Sequence, residues 1–122
     1  MAIILDTDVT IRGERKTFDL NRWLASEGDE EIQIAAITIA ELWHGVERAS
    51  GAYRIERQDY IRKMLSLVKI LPYTEATAIE HARIWASLES SGKMIGAHDL
   101  IVAATALERG SAVATFNKRH FA

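Results

Sequence analysis

Apolar residues in this chain fall into two rhythms. A continuous apolar run at 2–5 and largely apolar runs at 32–37, 68–71 and 112–116 read as short buried strands, the third closed by Pro72. Between them apolar residues return at helical spacing. Segment 18–24 carries Phe18, Leu20, Trp23 and Leu24, with Gly28 as its stop, and an acidic connection at 27–31 leads to the second strand. Thr38 opens a helix in which Ile39, Leu42, Trp43 and Val46 share a face, interrupted by Gly45 and ending at Ser50-Gly51. Segment 53–67 places Ile61, Met64, Leu65 and Val68 inward and Arg54, Arg57, Arg62 and Lys63 outside. Segment 75–90, capped by Thr74, turns Ile79, Ala82 and Leu88 inward; 91–96 is a loop; 99–109 is an Ala-rich helix that Gly110 caps. No element is predicted between Asp8 and Phe18.

Strands alternating with helices imply right-handed crossovers and a mainly parallel sheet of four strands covered on both faces, one α/β domain over residues 1–122. Composition agrees: 48% apolar and 26% charged residues are the proportions of an ordinary globular chain. The absence of cysteine excludes disulfide scaffolds, thiolate zinc sites and cysteine nucleophiles. Fifteen basic and 17 acidic side chains give a net charge of −2, so no global basic footprint marks a nucleic-acid binder. The opening apolar run is too short for a signal peptide, and nothing approaches a membrane span, which makes the cytoplasm the expected location.

In a parallel sheet, ligands bind beyond the carboxyl ends of the strands. Asp6 and Asp8 follow the first strand, Glu41 lies at the start of the helix after the second, Asp99 begins the helix that leads to the fourth, and Asn117 follows that strand. Four segments thus direct oxygen ligands to one end of the sheet. Converging carboxylates repel one another, and oxygen-only ligation suits Mg²⁺ or Mn²⁺ rather than zinc. Such ions acidify water and clamp a phosphate being displaced, so the pattern points to phosphoester hydrolysis. Each residue also has a local reading. Glu41 fits a capping box with Thr38, Asp99 a helix N-cap or first-turn acid, and Asp8 and Asn117 turn residues. Asp6 is the exception, an acid that ends a buried strand and satisfies no helix. Thr7 and Thr115 lie where they could hold a carboxylate, and His98 reads as a loop histidine beside Asp99. Arg12, Arg15 and Lys16, with Lys118 and Arg119, form two basic clusters expected to rim the same end, where they could meet phosphates.

The stretches Ile4-Leu-Asp-Thr-Asp8, Ile37-Thr-Ile-Ala-Glu-Leu42 with Gly45 and Glu47-Arg48, Ile95-Gly-Ala-His-Asp-Leu-Ile101 with Ala103-Ala-Thr105, and Ala114-Thr-Phe-Asn117 with Phe121 resemble PIN-domain ribonucleases. More narrowly, they resemble the VapC toxins of bacterial type II toxin–antitoxin pairs. The resemblance implies a three-layer α/β/α sandwich with four, usually five, strands. It also implies a Mg²⁺-dependent endoribonuclease (Mn²⁺ as substitute) acting on structured RNA such as tRNA or rRNA, a cognate VapB-like antitoxin, and a homodimer. Carried over by position, Asp6 and Asp99 would be the principal metal ligands, Glu41 would complete the acidic cluster, Asn117 would take the place of a fourth acid or amide, and Thr115 would support the site.

The chain departs from that pattern at three points. Asp8 stands where relatives often carry Asn or Ser. His120 replaces an acid before Phe121. The sequence ends at Ala122, where relatives usually enter a fifth strand, leaving a sheet edge for a partner or a second copy to cover. Two other readings compete. Asp6-Thr-Asp-Val-Thr10 also matches the DxDxT start of haloacid-dehalogenase-like phosphatases, with Asp6 as nucleophile, but the later lysine and acidic motif of that family have no counterpart. A catalytically weak PIN-like module that binds RNA or protein is the non-enzymatic reading.

Overall fold

The structure is a computed structural model that describes residues 2–16 and 18–116. Asn117, Lys118, Arg119, His120 and Phe121, which carry part of the expected site and the second basic cluster, lie outside the described residues.

Each apolar run forms a strand, though shorter than its run: β1 (Ile3–Leu5), β2 (Ile32–Ala35), β3 (Lys69–Leu71) and β4 (Ala112–Ala114). They form one sheet in the order β3-β2-β1-β4, with every pairing parallel. Six helices accompany them among the described residues: α1 (Thr7–Glu14), α2 (Leu20–Ser26), α3 (Ala36–Arg48), α4 (Gly51–Leu65), α5 (Glu75–Ser90) and α6 (Ala97–Arg109). Alternation along the strands divides the core. Ile4 and Ala35 face Val102 and Ala106 of α6, which α5 backs. Leu5 and Ile34 face the other way, toward Val9 of α1, Leu20 of α2, Leu42 and Val46 of α3, and Ile61 and Met64 of α4. The result is the expected three-layer sandwich. No helix among the described residues is long and apolar enough to cross a membrane.

Four differences from the sequence reading have physical causes. Helix α1 occupies a segment read as irregular. Its Thr7, Val9, Thr10 and Ile11 are β-branched and poor helix formers, yet burial of Val9 and Thr10 outweighs that local preference. Helix α3 begins two residues before Thr38, because the short strand β2 ends at Ala35. Arg57, read as solvent-facing, instead reaches Glu14 of α1 at 3.1 Å, and the two side chains are only 12% and 16% exposed. On α5 Thr77 is buried and His81, Ile84 and Leu88 on the same face are half-buried, whereas Ile79 and Ala82 are exposed.

Candidate active site

Helix α1 follows β1 without a loop, and one side chain makes the junction. Asp6 has extended backbone and caps α1, its Oδ1 accepting from the Thr7 amide at 2.9 Å. The expectation that Asp6 satisfies no helix is therefore corrected. Capping does not account for the rest of the residue, however. Asp6 is 4% exposed, and its Oδ2 accepts from Thr115 Oγ1 at 2.9 Å. Burial raises its carboxyl above the ordinary 3.8; the hydrogen bonds from Thr115 and Thr7 oppose that rise, and the charges of Asp8 and Asp99 add to it. Three acids thus share one electrostatic neighbourhood at the carboxyl ends of β1 and β4.

Asp8, in the first turn of α1, points to the same place. Its Oδ2 accepts from the Phe116 amide at 3.0 Å and lies 3.4 Å from Thr115 Oγ1. Its Oδ1 is buried with no hydrogen-bond partner. A buried, orphaned carboxylate oxygen beside a second buried carboxylate is costly unless a cation neutralises them.

Glu41 is joined to this group through Thr7, whose Oγ1 donates to Glu41 Oε1 at 2.8 Å. The capping-box reading of Glu41 fails: Thr38 is not the N-cap of α3, and its Oγ1 is buried without a partner. The other oxygen, Oε2, stands 3.2 Å from His98 Nδ1. His98 is consequently not a loop residue but part of the first turn of α6, one position before Asp99. Asp99 does not cap α6 either, since Gly96 takes that position without a side-chain bond.

The structure thus gathers Asp6, Asp8, Asp99, Glu41, Thr7 and Thr115 at one end of the sheet. Among the described residues, no three acidic or imidazole side chains form a ready-made metal cage. The donors are all oxygens, and the orphaned Asp8 oxygen and raised Asp6 are the features a cation would relieve, so the residues present fit the group.

The first basic cluster divides. Arg12 stays at the site, its guanidinium carbon 4.3 Å from the centre of the Phe116 ring. Lys16 is at the far end of α1 and lines a cavity shared with Ile32 and Val68, toward the amino ends of β2 and β3, and Arg15 immediately precedes it. Sequence reasoning placed Phe116 in the last strand and its motif but gave it no role in the site. Its signal was an aromatic residue directly after Thr115, where a strand leaves the core.

A PIN-domain family model matches residues 3–122. Ribonuclease VapC1 of Rickettsia felis is 33% identical over 122 residues, spanning 99% of this chain and 89% of the relative. The crystal structure of DNA-bound VapBC from Salmonella typhimurium matches with a TM-score of 0.89 at 26% identity, covering 99% of this chain and 90% of the other. VapBC-5 from Mycobacterium tuberculosis, a member of the VapBC family of toxin–antitoxin systems, matches with a TM-score of 0.70 at 26% identity over 93% and 83% of the two chains. Against a likeness of this extent, the five-residue phosphatase match at Asp6–Thr10 carries no weight. Fold, motif order and near-complete coverage agree that the chain belongs to the PIN-domain family.

Proposed function

We propose that this chain is a divalent-metal-dependent endoribonuclease, the toxin of a VapBC-like pair, which hydrolyses phosphodiester bonds in structured RNA such as tRNA or rRNA. The observation that carries the reading is the buried Asp6, pushed up by burial and by two neighbouring acids, beside the unpartnered Oδ1 of Asp8. Asp6 and Asp99 are the residues that would hold the ion, Mg²⁺ by preference with Mn²⁺ as a substitute. Asp8 and Glu41 would flank it, and Asn117 would add an amide. When bound, a divalent cation supplies Lewis acidity and charge neutralisation to a phosphoryl centre. The chain's own groups do the rest. Thr115 and the Thr7 amide hold Asp6 in one rotamer, and the Phe116 amide holds Asp8. Glu41, fixed by Thr7 and His98, is placed to accept a hydrogen bond from water. Arg12 offers a cation to the RNA backbone, and Lys118 and Arg119, by their place in the sequence after β4, would offer two more. Attack by water with the 3′-oxygen as leaving group would leave 3′-hydroxyl and 5′-phosphate ends, as the kinship with PIN-domain ribonucleases implies.

The named kinship with VapC1 and with VapBC assemblies supports a VapB-like antitoxin as partner, and a tRNA or rRNA substrate would put the chain's work in the cytoplasm. We further propose a homodimer. The test is cleavage of total cellular RNA by the purified chain. We expect fragments with Mg²⁺ or Mn²⁺, none with EDTA, and none from Asp6→Asn. Equal cleavage by that variant would assign the activity to a contaminant.

A further inference from the structure

Acids that gather a cation also repel a polyanion, so the substrate needs an attractive surface at their edge. Arg12 and Phe116 lie at that edge. The Phe116 amide donates to Asp8 Oδ2 at 3.0 Å, which ties the backbone beneath the ring to the acidic group. The ring itself is 43% exposed. It does not hang loosely: Phe18 meets it at 5.0 Å with an interplanar angle of 82°, and Phe18 packs in turn on Trp23 at 6.4 Å. Arg12, four residues after Asp8 on α1, lays its guanidinium over the ring at 4.3 Å. An exposed aromatic held at a fixed angle, with a planar cation layered on it, is a preorganised stack.

We propose that the Arg12–Phe116 stack is a nucleotide subsite beside the scissile phosphate, on which one unpaired base of the RNA lies. The inference rests on the ribonuclease reading and names residues that would choose where the RNA is cut. Bases splayed from RNA loops stack on aromatic rings and on arginine planes alike. The guanidinium, backed by the Phe116 ring at 4.3 Å, receives the base and sets a positive charge beside the adjoining phosphate. Lysine carries the charge without the plane and cannot substitute for it. The subsite therefore favours a loop or bulge nucleotide over a fully paired helix. A protein partner bearing an exposed aromatic is the competing occupant, but the cation and the direct connection to Asp8 favour the anionic substrate.

The experiment uses hairpin RNAs with 2-aminopurine at successive loop positions and the full chain carrying Asp6→Asn, so that binding is read without cleavage. At one loop position we expect fluorescence quenching by stacking. Adding Phe116→Leu or Arg12→Lys should abolish the quenching and weaken binding about tenfold, the size of one lost base stack. Phe116→Tyr should retain both, which separates loss of the ring from loss of fold. Arg12→Lys should leave the salt dependence of binding unchanged, whereas Arg12→Ala should lower its slope by about one phosphate contact. Binding and quenching that survive Phe116→Leu and Arg12→Lys would overturn the subsite, as would variants that lose affinity only for the copurifying antitoxin. Failure of the underlying reading looks different: the unsubstituted chain then leaves total RNA intact in Mg²⁺.

Discussion

Asp6 couples stability to function through one proton. The unfolded chain ionises this carboxyl near 3.8, and the folded chain holds its proton to higher pH because the group is buried beside Asp8 and Asp99. Across that interval the folded state binds more protons than the unfolded one, so stability falls as pH rises from 3.8 through the raised folded value. Asp6→Asn removes the charge while its amide still accepts from Thr7 and meets Thr115. The variant should therefore melt above the parent at pH 7, by ~3–5 °C for each kcal/mol relieved in a chain of this size. The gap should close as pH approaches 3.8. Saturating Mg²⁺ should reverse the order, because a cation at ten times its Kd adds about 1.4 kcal/mol to the parent only. Melting curves at two pH values, with and without Mg²⁺, check both signs. A variant that melts below the parent at pH 7 would show that the carboxylate stabilises the fold rather than straining it.

Where α1, α3 and α4 meet, the guanidinium of Arg57 enters a space that only a glycine leaves open. A Cβ on Gly45 would stand 2.6 Å from Arg57 Nη1 and 3.0 Å from its Cζ, and the Glu14 pairing keeps the guanidinium from swinging aside. Gly45→Ala should accordingly destabilise the chain by about 1–2 kcal/mol despite alanine's better helix propensity. In an Arg57→Ala background the same change should stabilise by about 1 kcal/mol, the ordinary gain of alanine over glycine in a helix. Denaturant titration of the four combinations measures the coupling. This junction also marks how far the sequence could be read. The four strands, the helices α2 to α6 and the order of the layers were legible because hydrophobic period is a local signal. Asp6 and Asp99 were legible because strand ends and helix starts fix which side chains share one end of the sheet; Glu41 joins them from the second turn of α3 rather than from the helix start expected of it. Helix α1 was not, since its helicity comes from burying Val9 and Thr10 rather than from its own residues. The Arg57–Glu14 pair, 43 residues apart, and the contact of His98 with Glu41 were equally hidden, because a charged side chain does not reveal its distant partner.

For the molecule as a whole, α5 carries the largest error of direction and the most informative one. Thr77, His81, Ile84 and Leu88 face inward, yet Ile79, Ala82 and Ala86 form a second stripe on the solvent side, with Ile79 52% exposed. Trp85 beside them is 55% exposed and Met94 in the following loop 92% exposed. A cavity of about 670 Å³ lined by Trp85, Leu88, Met94 and Ile95 adjoins the stripe. A helix with apolar residues on opposite faces is built to be covered twice, once by its own core and once by something else. The homodimer is the simplest cover, since a helix packed on its own copy about a two-fold axis is self-complementary. Trp85→Glu would place two like charges across such an axis; it removes the Trp85 stack on His81 at 5.7 Å but leaves Thr77, Ile84 and Leu88 in place. Sedimentation should then show a dimer for the parent at micromolar concentration and a monomer for the variant, with the melting temperature of the monomer fold little changed. If the variant remains dimeric, α5 is not the subunit interface. Loss of antitoxin capture by a variant that is still dimeric would assign the exposed stripe to the antitoxin instead.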